Sequence, residues 1–223
     1  EMRARYPDLR LETVAGGARR LDLALLTRAD AAWMDDRTAP AARVRHHLAL
    51  LSRVVPPSAL LSYLLPHPDE PLLDGGDLSL LARSRMPGAL GLAVDFRGMS
   101  AADHDRLGAQ LGEFQALRAL RGQAVAAPLT EPVAVDGGGP DWDVLQETDP
   151  ATGTVVVFAF RNPRGARRTH VVLTHLRPEA SYEVRSLDRG SLGTIGGRDL
   201  MTGGFDIDAT DESASRVFIF HPR

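Results

Sequence analysis

Apolar and polar positions in the first third of the chain alternate between short apolar runs and amphipathic stretches. Three apolar runs predict buried strands and two amphipathic stretches predict helices; in chain order the five segments are residues 9–11, 21–26, 31–34, 40–55 and 59–65. Pro40 stands where the second helix begins, and Pro66 follows the third run. This alternation is typical of parallel βα units.

Residues 77–121 continue the helical pattern in two pieces, which are separated by residues 91–98. Ser100 and Asp103 have the spacing of a helix N-cap and a first-turn acid. Residues 123–141 are rich in alanine, proline and glycine and have little periodicity. We therefore interpret this segment as a linker between two domains.

The last part of the chain changes to a period of two. Its β-type runs are residues 154–160, 170–173, 181–187, 199–208 and 216–220, and turn-forming residues separate them. No long helical pattern interrupts the series. We expect an α/β domain over residues 1–122 and an antiparallel β-sandwich over residues 142–223.

Charge and composition narrow the function classes. The 26 basic and 29 acidic residues give a formal net charge of −3, which argues against nucleic acid or a membrane surface as a partner. The absence of cysteine excludes disulfides and thiolate chemistry. The sequence has neither a membrane-spanning window nor a signal-peptide pattern, so we expect a cytoplasmic protein. Because methionine is the second residue, we expect the true N-terminus to lie upstream.

Acidic side chains follow two of the predicted strands. The first segment, residues 12–22, begins with Glu12, and the second, residues 33–38, contains Asp36. Loops that follow barrel strands gather at one face, so Glu12 and Asp36 would share a pocket although 24 positions separate them. Spacing alone favours a plainer alternative, in which Glu12 and Asp22 are surface or capping acids.

The same two segments resemble the melibiase-type α-galactosidases and raffinose synthases of glycoside hydrolase family 36. That family has Glu-x-Cys-x-Gly-Gly-Gly-x-Arg-x-Asp after its sixth barrel strand and Trp-x-Ser-Asp-Asn-Thr-Asp after its seventh. The residues that match these patterns without gaps are Glu12, Gly16, Gly17, Arg20, Asp22, Trp33, Asp36 and Thr38. The likeness continues through the helix at Pro40 and through Tyr63 to the closing strands, and so covers most of the chain.

The resemblance implies a fold and a chemistry. The fold would be the C-terminal part of a (β/α)8 TIM barrel followed by the sandwich. Asp36 would be the general acid/base of a retaining α-galactosidase, with the nucleophile outside this chain and with no cofactor or metal. The residues expected to line the sugar site are Glu12, Gly16, Gly17, Arg20 and Tyr63. An α-galactoside or related oligosaccharide would be the partner, and the chain alone would be inactive. The resemblance is also compatible with a homo-oligomer of the full-length protein.

Several residues depart from the family pattern. Val14 stands where the family has cysteine, and Asp35 stands where it has serine. Arg37 replaces the asparagine of the family, and Ala39 replaces its final aspartate. Asp35 offers a second carboxylate beside Asp36, although the ungapped register favours Asp36. These departures leave an alternative open, namely a catalytically lapsed homologue or a non-catalytic structural or carbohydrate-binding module. The choice between hydrolysis and transglycosylation also stays open.

Overall fold

A computed structural model describes residues 2–14, 16, 21–73, 76–209 and 214–223. The elements of the first half are α1 (Met2–Arg5), β1 (Glu12–Thr13), α2 (Leu23–Leu26), β2 (Ala31–Trp33), α3 (Ala41–Leu51), β3 (Leu60–Leu64), α4 (Leu78–Arg83), β4 (Ala89–Leu92) and α5 (Ala101–Arg121). Short 3-10 turns occupy Pro57–Ala59 and Phe96–Gly98. The four strands form a parallel sheet in the order β1-β2-β3-β4.

The parallel βα pattern predicted from the sequence is confirmed. Helix α3 packs on the sheet through a cluster in which Met34, Leu48 and Leu60 are all less than 5% exposed. The Ser100 hydroxyl accepts a hydrogen bond from the Asp103 amide at 3.1 Å, so the predicted N-cap of α5 is confirmed as well. No helix in the described part of the chain is long and apolar enough to cross a membrane.

Strand β4 was not predicted from the sequence. Residues 89–92 read Ala-Leu-Gly-Leu, which contains no β-branched residue and too few positions to show a period. The strand forms because its backbone pairs with β3, with Tyr63 opposite Gly91. Tertiary pairing, rather than local preference, therefore determines this element.

The second half is dominated by antiparallel strands. Its elements are β5 (Val125–Pro128), β6 (Trp142–Thr148), β7 (Val155–Arg161), β8 (Arg168–Val171), β9 (Ser181–Ser186), β10 (Gly190–Gly196), α6 (Gly197–Thr202), β11 (Phe205–Asp208) and β12 (Ser215–Pro222). Six strands form one antiparallel sheet in the order β10-β9-β12-β7-β6-β5. Strands β8 and β11 pair separately, and their Val171 and Ile207 pack against the six-stranded sheet in a core that includes Trp142 and Phe220.

Two details of the second half differ from the sequence interpretation. Residues 125–128 fall in the expected linker but form edge strand β5 against β6. The sequence did not predict this strand because alanine and proline are uncommon in sheets, although an edge strand tolerates them. Residues 199–208 were expected to form one strand, but α6 precedes β11. The Leu200 side chain of α6 is fully buried, and Gly204 with φ of 76° ends the turn that leads into β11.

Buried ion pairs join the two halves. Arg45 of α3 donates to Asp143 of β6 at 2.9 Å, and Arg121 of α5 donates to Glu147 of the same strand at 2.8 Å. The side chains of both pairs are at most 8% exposed. The parallel sheet with its helices is thus held against one face of the antiparallel sheet.

Candidate functional site

The loop that follows β2 carries two adjacent carboxylates with different surroundings. Asp35 accepts a hydrogen bond from the Arg37 amide at 3.0 Å and pairs with Arg43 at 3.3 Å. Its Oδ2 also lies 3.5 Å from Nδ1 of His47. Burial lowers the pKa of His47, and the charge of Asp35 acts in the opposite direction. The Asp35 carboxylate is therefore occupied in fixing the loop to helix α3.

The Asp36 carboxylate is exposed beside it. Within the described residues no donor or cation lies within hydrogen-bond or ion-pair distance of this carboxylate, including the neighbouring Arg37. Asp36 is three positions past the end of β2, at the edge where the parallel strands end. It is the carboxylate of the pair that is left available to a ligand.

A buried arginine shapes the same loop. Arg85 lies in the turn between α4 and β4 and is 2% exposed. Its guanidinium donates to three main-chain carbonyls, those of Tyr63 at 2.9 Å, Leu81 at 2.5 Å and Thr38 at 2.5 Å. Burial lowers its pKa to about 10, which leaves it protonated at neutral pH.

Glu70 fixes the far end of the loop. Pro40 offers no side-chain cap to α3, and both oxygens of Glu70 instead accept the Ala41 amide, at 3.0 and 2.7 Å. A carboxylate at this position also complements the helix dipole. The segment between Asp35 and Ala41 is thus held at both ends by side chains distant in sequence.

Two aromatic rings lie on the neighbouring strands. The Trp33 and Tyr63 ring centroids are 4.5 Å apart, with 31° between the planes. A Cβ at Gly91 would lie 2.8 Å from the Tyr63 ring, so the absence of a side chain on β4 makes room for this ring. The buried indole N–H of Trp33 has no hydrogen-bond partner in the described chain.

The other predicted site residues lie on or beside β1. Glu12 is exposed on this strand and pairs in register with Ala31 of β2, and Gly16 has φ of 60°, a conformation that favours glycine. Gly17 and Arg20 lie outside the described residues. Asp22 caps α2 by accepting the Leu25 amide at 2.9 Å, so the capping alternative is confirmed for this acid.

Parallel pairing places three of the predicted residues on or after neighbouring strands, with Glu12 opposite Ala31 at the start of β2 and Asp36 three positions past the end of β2. Glu12 on β1, Asp36 after β2 and Tyr63 near the end of β3 belong to three neighbouring strands. Sequence reasoning missed Arg85 and Glu70, because the Tyr63 and Thr38 carbonyls and the Ala41 amide that they bind are more than 20 positions away, which no local pattern reports.

Comparison with known proteins connects this arrangement to one family. The melibiase family model matches residues 1–122. No curated protein matches the chain.

Solved structures match the chain along its whole length. They include the GH36 α-galactosidase AgaB from Geobacillus stearothermophilus, with a TM-score of 0.78 and 20% identity. Others are a variant of AgaA from the same organism in complex with raffinose, with 0.78 and 19%, and the α-galactosidase from Lactobacillus brevis, with 0.76 and 20%. All three cover 100% of this chain and 30% of their own, so this chain shares its fold with part of these enzymes and spans less than a third of their length.

Proposed function

Because the chain belongs to the melibiase family, we propose that it is the C-terminal part of a retaining glycoside hydrolase that cleaves terminal α-galactosides. In this proposal residues 1–122 are the last part of a (β/α)8 barrel and residues 142–223 are its C-terminal β-sandwich. The parallel order of β1 to β4, with helices between the strands, supports the first assignment. The packing of β8 and β11 on the six-stranded sheet supports the second.

Asp36 is the general acid/base of the proposed enzyme. The observation that carries this assignment is the contrast between the two adjacent acids. Asp35 is bound to Arg43, whereas the Asp36 carboxylate is exposed and has no partner among the residues that the structure describes. A group that transfers protons to a substrate has to be accessible to it.

The proposed reaction has two steps. In the first, Asp36 donates its proton to the glycosidic oxygen while a carboxylate outside this chain attacks the anomeric carbon, which gives a galactosyl-enzyme ester and a free leaving group. In the second, Asp36 removes a proton from water, which displaces the enzyme carboxylate. Two carboxylates suffice for this chemistry, so the proposal needs no cofactor or metal.

The sugar site of the proposed enzyme is formed around Asp36. Glu12, Gly16 and Tyr63 lie on or beside the neighbouring strands, and we assign them to the sugar together with Gly17 and Arg20 from the matched motif. Complexes of AgaA variants with raffinose and stachyose favour terminal α-galactosides as the substrate class. Homo-oligomerisation of the full-length protein and a cytoplasmic location stay predictions.

The test compares Asp36→Asn with the matched control Asp35→Asn in the full-length protein. Asp36→Asn should lower kcat for melibiose or raffinose by about 100- to 10,000-fold, because general acid assistance contributes this much. An activated aryl galactoside needs little protonation of its leaving group. Its kcat/KM, which reports the first step, should therefore fall much less. Asp35→Asn should have a smaller effect on all three substrates.

Two results would contradict the proposal. Equal losses in the two variants would show that Asp36 has no special part in proton transfer. A wild-type protein without measurable glycosidase activity would instead support the catalytically lapsed alternative.

A further inference from the structure

The hydrogen-bond ladder between β2 and β3 stops at the loop that follows β2 and carries Asp36. The Met34 amide donates to the Leu61 carbonyl at 3.1 Å. In a regular parallel ladder the next bond, two residues further, would join the Asp36 amide to the Tyr63 carbonyl. That bond is not formed, and Nε of Arg85 donates to the Tyr63 carbonyl at 2.9 Å instead.

The same guanidinium holds the loop from a second side. One terminal nitrogen of Arg85 binds the carbonyl of Thr38, two residues past Asp36, and the other binds Leu81 in α4. In the described part of the chain no carboxylate lies within ion-pair distance of Arg85, so main-chain oxygens satisfy this buried cation. The planar fork of arginine places donors on three separate nitrogens, and each of these nitrogens reaches a different carbonyl here.

We propose that Arg85 is a positioning residue for proton transfer, which replaces the missing ladder bond at Asp36 and thereby holds the Asp36 carboxylate at the edge of the sheet. This inference rests on the proposed role of Asp36. If the chain continued β2 through residue 36, the loop would run along β3, and the geometry around Asp36 would differ from the one observed. Arg85 does not touch the substrate and acts only through the loop.

The experiment replaces Arg85 in the full-length protein by Lys and by Met. Arg85→Lys keeps a positive charge, but its single nitrogen cannot replace the three nitrogens that bind the Tyr63, Leu81 and Thr38 carbonyls separately. It also provides a second variant should Arg85→Met fold poorly. The matched control is Arg45→Lys, an arginine of similar burial that binds Asp143 and Ser84 and makes no bond to residues 35–40. Asp36→Asn serves as the reference for lost proton transfer.

Two readouts separate positioning from general loss of stability. Misplacing a catalytic group by about 1 Å can cost about 100-fold, so kcat for melibiose should fall about 10- to 100-fold in the Arg85 variants. KM for melibiose should change little, and kcat/KM for the activated aryl galactoside, which reports the first step alone, should fall much less. Amide hydrogen exchange at Met34 and Arg37, which donate to Leu61 and Asp35 at the two sides of Asp36, should accelerate in both Arg85 variants and stay unchanged in Arg45→Lys.

The outcomes distinguish this inference from the proposed function. Equal losses of kcat/KM on the two substrates in the Arg85 variants, or unchanged exchange at Met34 and Arg37, would overturn the positioning role even if Asp36→Asn behaves as a lost proton donor. If Asp36→Asn itself does not discriminate between the substrates, the proposed function fails and the catalytic part of the inference fails with it. The exchange measurement would still report whether Arg85 holds the loop.

Discussion

Glu147 should make the stability of this protein fall as the pH rises from acidic to neutral. Its side chain is 1% exposed, and one carboxylate oxygen accepts from Arg121 at 2.8 Å. The other oxygen has no hydrogen-bond partner in the described part of the chain. Burial raises the pKa of Glu147 from 4.5 to about 7, although the nearby Arg121 acts in the opposite direction. A carboxyl with this pKa retains its proton in the folded protein at a pH where the unfolded chain has released it.

The sign and size of the effect follow from proton linkage. Between about pH 4.5 and pH 7 the folded state binds more protons than the unfolded state, so the free energy of unfolding decreases as the pH rises. At about 1.4 kcal/mol per pKa unit the total decrease from this residue is about 3 kcal/mol, and it is complete just above pH 7. Asp143, whose pKa burial also raises, adds to the slope in the same direction.

Urea denaturation followed by tryptophan fluorescence from pH 4.5 to pH 8 measures this slope. Glu147→Gln should flatten it, because a neutral amide replaces the titrating carboxyl, and at pH 8 this variant should be at least as stable as the wild type. Glu183→Gln is the matched control, since Glu183 lies on β9 of the same sheet but at its surface, in an ion pair with Arg223. A wild-type stability that rises over this range, or an equal slope in Glu147→Gln, would refute the reasoning.

Two further predictions concern packing and are measured by thermal unfolding. Gly91→Ala should destabilise the protein by about 1–3 kcal/mol and displace the Tyr63 ring, because its Cβ would lie 2.8 Å from that ring. The control is Gly112→Ala in α5, which should be neutral or stabilising because a Cβ there has open space. Trp142→Phe should cost about 1–3 kcal/mol, because the Ala166 carbonyl loses the indole donor that binds it at 2.8 Å. An unchanged melting temperature in either variant would contradict these contacts.

The elements that the sequence predicts well are those with strong local signals. Helix α5 has an N-cap serine, a first-turn acid and an apolar face that includes Leu107, Phe114 and Leu117 over 21 residues. Strand β7 reads Val-Val-Val-Phe-Ala-Phe-Arg, which is rich in β-branched and aromatic residues. In both cases local preference and tertiary packing favour the same structure.

The elements that the sequence misses depend on distant partners. Strands β4 and β5 have weak local preference and form because β3 and β6 offer them hydrogen bonds. For the candidate site, the matched motif predicts Asp36, whereas the different surroundings of Asp35 depend on Arg43 and His47 of the next helix and could not be predicted. The part of Arg85 was hidden because its acceptors are carbonyls, which every residue has.

Rescue by azide tests the central assignment, that of Asp36, most directly. In the full-length protein, Asp36→Ala should accumulate the galactosyl-enzyme ester with an activated aryl galactoside, because no base remains to deprotonate water in the second step. Azide needs no deprotonation, so it should restore turnover and release α-galactosyl azide with retained configuration, whereas Asp35→Ala should gain nothing from azide. The account would be contradicted if Asp36→Ala hydrolysed melibiose at the wild-type rate, or if azide left the activity of this variant unchanged.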